Sequence, residues 1–333
     1  MKNQQRKISE HKKPVSVKKH LKICFLIIII IVLSFFSCTT NGNKITGRPP
    51  SQTKPAASLS AVNLYGDEVP WVFLDEGLYF LQYTDKEKPL SFSVICVELF
   101  RTDTWGQKEA LWEIVFTKPA GDRAGRNFLM EGMTVSQFAE ITGSRAAVNG
   151  GPFTPYRYFS PGQGQNPAGL FLSYGELLSP PAGQFAALVI KSDNQADIIR
   201  QNEVFENQPI FALGGFQKLL ASGSMVPEIL GLDESKAART LLGLSEEKNR
   251  LYLVAVDGKI AGHSTGLTLT EAAELLSSLG VSEGMNMDGG GSTTMVLRNE
   301  EGKLKTVNRS SNLRGFGERI VATHIGIKKV SEE

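Results

Sequence analysis

The chain has 333 residues, 41% of them hydrophobic, and its 36 basic and 34 acidic residues give a net charge of +2. Eight basic residues and Glu10 lie within the first 22 positions. Without that segment, 28 basic and 33 acidic residues remain, a net charge of about −5. No basic patch is left to bind a nucleic acid, which would need clustered Lys and Arg.

The N-terminal segment is typical of an export signal. Residues 1–22 are basic, and residues 23–36 form an apolar run of about 14 residues. A helix needs roughly 20 apolar residues to cross a bilayer, so this run is short for a membrane span. A basic region, a short apolar region and a small residue at the boundary describe a signal sequence. We therefore expect an exported protein whose folded part lies outside the cytoplasm.

The end of the apolar run resembles a lipoprotein processing site. Ser37 precedes Cys38, which would become the lipidated first residue of the mature protein. Two phenylalanines stand before Ser37, where such sites favour leucine and small residues, so an uncleaved N-terminal anchor is the alternative. Residues 1–38 are accordingly predicted to be the signal and membrane anchor. Residues 39–61, rich in Thr, Ser, Pro and Gly, are predicted to be a disordered tether.

The remaining cysteine and histidines do not predict a metal centre. Cys96 lies in an apolar run and is interpreted as a small core residue. With Cys38 as the lipid anchor, no disulfide is possible within one mature chain. His263 and His324 are far apart in sequence, which makes a His-based zinc site improbable. No cofactor is predicted, and a single oxygen-ligated cation such as Ca²⁺ is the open alternative.

Residues 62–333 are predicted to form the folded domain, and most of its regular structure should be strands. Runs rich in aliphatic and aromatic residues and bounded by turn residues indicate strands. These runs cover residues 71–83, 92–100, 110–116, 145–149, 169–173, 186–190, 239–244, 250–256, 284–288, 293–298 and 320–327. Many strands with few helices favour antiparallel pairing over a doubly wound parallel sheet.

Two segments carry the signals that begin and end a helix. The first begins at Thr134 with Gln137 three residues later, and the second begins at Thr268 with Glu271 at the same spacing. This spacing is that of a capping box, and each segment ends at a glycine. Glu271 is therefore interpreted as a cap rather than as an acid catalyst. The predicted class is α+β, with helices packed on mixed, largely antiparallel sheets.

The two predicted helices are followed by similar sequences. After each comes a short apolar strand and then a polar residue that opens a glycine turn, Asn149 in one case and Asp288 in the other. The hypothesis is that these units are pseudo-repeats, forming two lobes whose strand ends meet at one pocket; chance similarity is the alternative. The hypothesis requires Asn149 and Asp288 to lie within about 12 Å of each other, since one small substrate must touch both.

Several motifs, read in chain order, carry a family resemblance. The most specific are "ART" at 238–240 and "DGGGS" at 288–292, with "AAVNGGPF", "NPAGLFLSYGELL" and "FALGGFQKLLASG" upstream and "VNRSS" and "GERIVATHIGI" downstream. Over residues 90–327 they resemble the phosphodiester glycosidase family. The order and spacing of several motifs are more specific than one glycine loop. The resemblance implies cleavage of a sugar–phosphate diester to a free sugar and a phosphomonoester.

The resemblance also implies the roles of individual residues. Asp288 is expected to be the catalytic carboxylate, as nucleophile or as base for water, because a phosphate leaving group depends little on a general acid. Arg239 would clamp the phosphate as a planar fork; an Arg paired with a surface carboxylate is the alternative. Asn149 would offer its amide to the sugar or hold Asp288 in place. The positions implied to bind substrate are Gly150, Gly289, Gly290, Gly291, Ser292, Thr293 and Glu318.

Alternatives stay open at several of these positions. Ser292 and Thr293 could serve only turn and strand hydrogen bonds. Glu318 could form an ion pair with Arg319 or line the pocket wall. Asp257 is interpreted as a turn residue, because Asp-Gly between apolar runs is a strong hairpin signal, and His263 as a loop residue.

Three functions compete at this point. The favoured one is a lipid-anchored enzyme of the cell envelope that hydrolyses a sugar-1-phosphodiester, with a glycan or sugar phosphate as substrate. The second is a non-catalytic glycan-binding lipoprotein that takes part in exopolysaccharide assembly. The third is a metal-dependent phosphodiesterase that attacks phosphorus, which the shortage of His and paired Asp residues disfavours.

Replacement of the predicted lipidated residue tests the anchor. We expect Cys38→Ser to release the protein from the membrane fraction or to block its processing, because the acyl chains of a mature lipoprotein provide stable anchoring. Fractionation and gel mobility of the full chain give the measurement. Unchanged membrane association and mobility would instead favour the uncleaved anchor.

Overall fold

The structure is a computed structural model, and it describes residues 59–85, 87–121, 127–156, 160–203, 209–232, 234–311 and 317–330. The predicted anchor segment 1–38, including Cys38, and the tether up to residue 58 lie outside these residues. Within the described part, no helix has the length and apolar character needed to span a membrane.

Short strands make up most of the regular structure in the described part of the chain. In chain order they are β1 Val62–Leu64, β2 Asp67–Val69, β3 Val72–Asp75, β4 Leu78–Asp85, β5 Leu90–Glu98, β6 Phe100–Thr102, β7 Lys108–Ala110, β8 Trp112–Phe116, β9 Met130–Glu131, β10 Ala146–Asn149, β11 Phe153–Thr154, β12 Gly164–Pro167, β13 Phe171–Ser173, β14 Glu176–Ser179, β15 Ala186–Ile190, β16 Ala196–Arg200, β17 Phe211–Gly214, β18 Lys218–Ala221, β19 Ser224–Met225, β20 Arg239–Leu244, β21 Arg250–Val256, β22 Glu283–Asn286, β23 Met295–Arg298, β24 Leu304–Thr306 and β25 His324–Lys329.

The strands form three larger sheets and three small ones. The largest has eight strands in the order β19-β18-β22-β20-β21-β5-β4-β3. Two five-stranded sheets have the orders β24-β23-β10-β25-β8 and β14-β13-β17-β15-β16. Every pairing described between these strands is antiparallel. The predicted preference for antiparallel over parallel pairing is therefore confirmed.

The central strands of the large sheet are buried on both faces. In β20 the side chains of Leu242 and Leu244 belong to one core cluster, and that of Leu241 belongs to the cluster on the opposite face. A strand covered on both sides is a continuous apolar run rather than an alternating one. Cys96 in β5 is a fully buried free thiol, and burial raises its pKa to about 12. Its interpretation as a core residue is confirmed.

Two helices are present among the described residues, α1 Val135–Thr142 and α2 Leu269–Ser278. Both predicted capping boxes are confirmed, since Thr134 and Thr268 each accept a hydrogen bond from the backbone three residues later. In α2, the carboxylate of Glu271 accepts a hydrogen bond from the backbone N–H of Thr268 at 2.9 Å. Its carboxylate thus serves the helix end, as predicted.

The predicted α+β class is wrong, because the domain is largely β. The two helices are short, and the strands absent from the prediction lie in stretches without apolar alternation, such as "GQNP" in β12 and "KLLA" in β18. The expectation of mixed sheets is also wrong. So is the division into two lobes, since all described residues belong to one compact unit, Pro55–Glu333.

A buried histidine supports the strand that carries Asn149. His324 in β25 pairs with Asn149 in β10 and is fully buried. Its Nε2 donates to the Met133 carbonyl at 3.1 Å, its Nδ1 accepts from the Thr117 hydroxyl at 2.8 Å, and its ring stacks on Phe138. Full burial favours the neutral imidazole, in which Nε2 donates to the carbonyl and Nδ1 is left to accept from the hydroxyl. Burial lowers the pKa of His324 to about 3.

The neutral state of His324 predicts a loss of stability in acid. The unfolded chain binds a proton near pH 6.5 and the folded chain only near pH 3, so stability falls as the pH drops between these values. The slope is about 1.4 kcal/mol per pH unit where only the unfolded state is protonated. In denaturant titrations at several pH values, His324→Gln should lose this part of the pH dependence. An unchanged pH dependence would contradict the assignment.

Candidate active site

The amide of Asn149 joins three elements at one end of the sheets. Its Oδ1 accepts from the Thr240 hydroxyl at 2.7 Å and from the Thr294 backbone N–H at 3.1 Å. Its Nδ2 donates to the Asp288 carbonyl at 2.7 Å and to the Gly150 carbonyl at 3.3 Å. These four bonds use the full hydrogen-bonding capacity of the amide, and Asn149 is fully buried. Of the two roles predicted for it, the contacts favour holding Asp288 in place.

The glycines after Asp288 meet two separate geometric demands. The segment Gly290–Ser292 forms a single 3₁₀ turn. Gly290 has a φ of 58°, in the left-handed region that favours glycine, and its N–H donates to the Ala238 carbonyl at 2.8 Å. A Cβ at Gly291 would collide with the guanidinium of Arg319. The loop is therefore a tight turn that also admits a cation close to its backbone.

Asp288 is the carboxylate at the centre of this arrangement. Its backbone N–H donates to the Gly150 carbonyl at 3.3 Å, which fixes the residue against the end of β10. Part of the residue remains exposed, yet protein atoms surround it closely enough that burial raises the pKa of Asp288 to about 6. Hydrogen bonds from Ser292 and from the Gly289 N–H, and the charge of Arg319, partly oppose that rise in pKa. A carboxyl poised in this range suits acid–base or nucleophilic chemistry.

Arg319 is the cation that accompanies Asp288. Its Nη1 donates to the hydroxyl of Ser292 at 3.2 Å, and this hydroxyl hydrogen-bonds to the Asp288 carboxylate. Ser292 is fully buried, and its hydroxyl links the carboxylate to the guanidinium through these two hydrogen bonds. The Ser292 hydroxyl thus contacts both charged groups, the Asp288 carboxylate and the Arg319 guanidinium. A positive group one hydroxyl away from a carboxylate is an arrangement that can combine a nucleophile with an anion-binding group.

Arg239 does not join this group. It is buried, and its guanidinium donates to the Leu267 carbonyl at 3.0 Å and the Ser235 carbonyl at 3.2 Å. Successive side chains of a strand point to opposite faces, and Thr240 is the residue of β20 that reaches Asn149. The structure therefore places the Arg239 side chain on the other face of the sheet. Its role as a phosphate clamp stays a prediction that these contacts do not favour.

Glu318 lies at the start of α1. Its carboxylate accepts hydrogen bonds from the backbone N–H of Ser136 at 2.8 Å, from the hydroxyl of the same residue, and from the Thr306 hydroxyl at 2.9 Å. A carboxylate in the first turn satisfies free backbone donors and interacts favourably with the helix dipole. These contacts match neither alternative proposed for Glu318, which were an ion pair with Arg319 and a pocket wall.

The remaining predicted positions belong to the backbone framework. Gly150 donates its N–H to the Thr323 carbonyl at 2.7 Å and accepts from Asp288 through its carbonyl. Thr293 is fully buried, and its carbonyl accepts from Nδ2 of Asn308 at 3.1 Å. Gly150 therefore lies beside Asp288, and Thr293 closes the glycine turn by donating its N–H to the Gly290 carbonyl at 3.2 Å. Their predicted contact with substrate stays a prediction.

The predicted hairpin turn at Asp257 is wrong. It follows β21, whose sheet partners are β20 and β5, and the chain then continues through a loop to α2. Asp257 is buried, and its Oδ2 lies 2.6 Å from Nε2 of His263. His263 lies in that loop, as predicted.

Two members of the site, Thr240 and Arg319, carry no direct signal in the sequence. Thr240 follows Arg239 in the same motif, and the two side chains point to opposite faces of β20. The sequence does not indicate which of these faces meets the site. Arg319 is predicted from the sequence only as a partner for Glu318. Its proximity to Gly291 could have been suspected from a glycine that leaves room for a large side chain, but not from the spacing of 28 residues between them.

The large cavity and the pattern of potential metal ligands in the described residues both direct attention away from Asp288. A cavity of about 510 Å³ lies elsewhere, beside α1 and β8, and none of the predicted site residues lines it. Among the residues that the structure describes, no group of three or more His, Cys, Asp and Glu side chains is placed to hold a metal ion. The site is therefore assigned from the contacts of Asp288.

Comparison with known proteins identifies the family. The sequence model of the phosphodiester glycosidase family matches residues 142–328, more than half of the chain, and this match contains Asn149, Asp288 and Arg319. The chain belongs to the phosphodiester glycosidase family. The resemblance carried by the sequence motifs is thus confirmed. No curated protein matches the chain.

Two solved structures share the fold of this phosphodiester glycosidase family member. The catalytic domain of zebrafish N-acetylglucosamine-1-phosphodiester alpha-N-acetylglucosaminidase, auto-inhibited by its pro-peptide, aligns with a TM-score of 0.53 and 20% identity, over 81% of this chain and 86% of that one. A hypothetical protein from Synechocystis aligns with a TM-score of 0.57 and 15% identity, over 78% of this chain. The chain spans 64% of the Synechocystis protein. At these identities the likeness shows the fold alone.

The raised pKa of Asp288 predicts that its charge destabilises the fold. The folded pKa is about 6 and the ordinary value 3.8, so the folded state binds the proton more tightly. Ionisation of Asp288 therefore lowers stability progressively from about pH 4 to pH 6. Asp288→Asn should raise the free energy of unfolding at pH 7.5 by about 1–3 kcal/mol, a gain that disappears near pH 4. Thermal melts at both pH values give the measurement, and destabilisation at pH 7.5 would contradict the assignment.

Proposed function

We propose that this protein hydrolyses a sugar-1-phosphodiester to a free sugar and a phosphomonoester. The observation that carries the proposal is the contact chain from Asp288 through Ser292 to Arg319, in a glycine loop within the region that matches the family. A carboxylate without a neighbouring cation would repel an anionic diester. Here the carboxylate faces the sugar carbon while the guanidinium neutralises the phosphate.

The reaction needs Asp288 in its ionised form. Asp288 either attacks the anomeric carbon, giving a glycosyl-enzyme ester that water then hydrolyses, or it removes a proton from a water that attacks the same carbon. In both routes the bond between the anomeric carbon and the phosphate oxygen breaks, and the phosphomonoester leaves with the bonding electrons. Retained or inverted configuration in the released sugar distinguishes the two routes.

The phosphate is held by Arg319 in this proposal. The leaving group gains negative charge as its bond to the sugar breaks, and a guanidinium at that position stabilises the transition state more than the ground state. Ser292 keeps the guanidinium oriented at 3.2 Å. Asn149 does not touch the substrate, because all four of its hydrogen bonds are made within the protein.

A panel of glycosyl-1-phosphodiesters tests the function. The full chain, purified in detergent, is incubated with each compound in ¹⁸O-labelled water, and the products are identified by mass spectrometry. Hydrolysis at the anomeric carbon places the label in the sugar, whereas attack on phosphorus places it in the phosphomonoester. Binding of a glycan without any turnover would favour the non-catalytic glycan-binding alternative.

Two arginine variants test which cation serves the phosphate. Arg319→Lys keeps the charge but loses the planar fork, so we expect kcat/KM to fall by about tenfold or more while the melting temperature changes little. Arg239→Lys is the matched control. It should lower the melting temperature, since buried carbonyls lose their donors, and leave KM near that of the parent. The reverse pattern would restore Arg239 as the phosphate clamp.

We further propose that the enzyme acts in the cell envelope, tethered through Cys38 to the outer surface of a membrane. The support is the basic and short apolar N-terminal sequence that ends in Ser37 and Cys38. An envelope glycan or a glycosylated phosphate used as nutrient is the corresponding substrate class. The Cys38→Ser variant tests the anchor independently of catalysis.

A further inference from the structure

A second buried carboxylate lies near the glycine loop and has no part in the proposed reaction. Asp257 is 2% exposed, and both of its carboxylate oxygens are hydrogen-bonded. Oδ2 accepts from Nε2 of His263 at 2.6 Å, while Oδ1 accepts from the Arg309 backbone N–H at 2.8 Å and from Nδ2 of Asn308 at 3.2 Å. Burial of a carboxylate is costly, so these partners are needed to offset its desolvation.

The residues that Asp257 binds also hold the glycine loop. Nδ2 of Asn308 donates to the Thr293 carbonyl at 3.1 Å as well as to Asp257. The hydroxyl of Ser310 donates to the Gly291 carbonyl at 3.1 Å. The segment 308–310 therefore has Asp257 on one side and the glycine loop on the other.

A second route connects the same two regions through the backbone of Ala238. Gly258, next to Asp257 in sequence, packs so closely on Ala238 that a Cβ there would collide with its backbone. On the glycine-loop side, the Gly290 N–H donates to the Ala238 carbonyl at 2.8 Å. A displacement of Asp257 would thus reach the loop from two directions.

We propose that Asp257 is a positioning residue of the reaction: through Asn308 and Arg309 it fixes segment 308–310, which in turn fixes the glycine loop that carries Asp288. The inference rests on the proposed function for its effect on catalysis. The position of a catalytic carboxylate matters steeply, since a displacement of about 1 Å can cost on the order of a hundredfold in rate.

The groups around the two carboxylates indicate how a replacement of Asp257 should change the pKa of Asp288. Asp257 faces His263, Asn308 and the Arg309 N–H, and Asp288 faces Ser292, Arg319 and the Gly289 N–H. Burial is the main cause of the raised pKa of Asp288. A loosened glycine loop admits water to the carboxylate, which lowers the pKa of Asp288 toward its ordinary value.

The test is Asp257→Asn in the full chain, assayed for sugar release from a glycosyl-1-phosphodiester between pH 4 and pH 8. We expect kcat per folded molecule to fall by about tenfold to a hundredfold with KM changed less than threefold. The acid limb of the rate profile should also move from near pH 6 to lower pH. Asp75→Asn, which removes a carboxylate paired with Lys329, is the matched control and should leave both readouts unchanged.

Ser310→Ala covers the case in which Asp257→Asn does not fold. It removes only the hydroxyl that holds the Gly291 carbonyl, so the same two changes should appear at smaller size. A lower melting temperature with an unmoved acid limb and an unchanged kcat per folded molecule, in either variant, would overturn the inference.

A thermodynamic cycle separates this inference from the proposed function. The gain in stability from Asp288→Asn at pH 7.5 is measured in the parent and in the Asp257→Asn background, or in Ser310→Ala if the former does not fold. A smaller gain in the variant background supports the coupling even if no substrate is hydrolysed. Equal gains in both backgrounds would overturn the coupling while leaving the proposed function untouched.

Discussion

The site depends on one buried side-chain amide. Asn149 ends β10 and makes hydrogen bonds to β20, to the carbonyl of Asp288 and to the backbone after the glycine turn. β10 and β23 belong to one five-stranded sheet, whereas β20 and β22, which leads to Asp288, belong to the eight-stranded sheet, so this amide joins the ends of two sheets. A fully satisfied buried amide fixes their relative positions, because any shift leaves a polar group unpaired in a dry environment.

The same neighbourhood contains groups that act against stability. Burial disfavours the charge and raises the pKa of both Asp288 and Asp257, and the Asp257 carboxylate has a hydrogen-bond partner on each oxygen. A carboxylate that is satisfied can serve as a fixed point of the framework. One that is left partly desolvated retains the reactivity that catalysis needs. The two aspartates thus differ in their partners: His263, Asn308 and the Arg309 N–H hold Asp257, whereas Ser292 and the Gly289 N–H bind Asp288.

Local patterns in the sequence predicted the helices and central strands well. They did not predict which face of a strand meets the site. Capping boxes and apolar runs depend on neighbouring residues, and the helices and central strands follow them. Short strands such as β12 pair through backbone groups alone, so a polar segment there shows no periodicity. β20 is buried on both faces, and its sequence therefore could not tell whether Arg239 or Thr240 points to the site.

Long-range convergence explains why part of the site was predictable and part was not. Asn149 ends β10 and Asp288 follows β22 by two residues, each directly before a glycine. Their meeting required only that the ends of these two strands lie together. Arg319 reaches the site from a segment without regular structure, where no periodicity limits the direction of a side chain. A polar residue that follows a buried strand is therefore a stronger sequence signal for such a site than a charged residue in a loop, because the sheet fixes its position in advance.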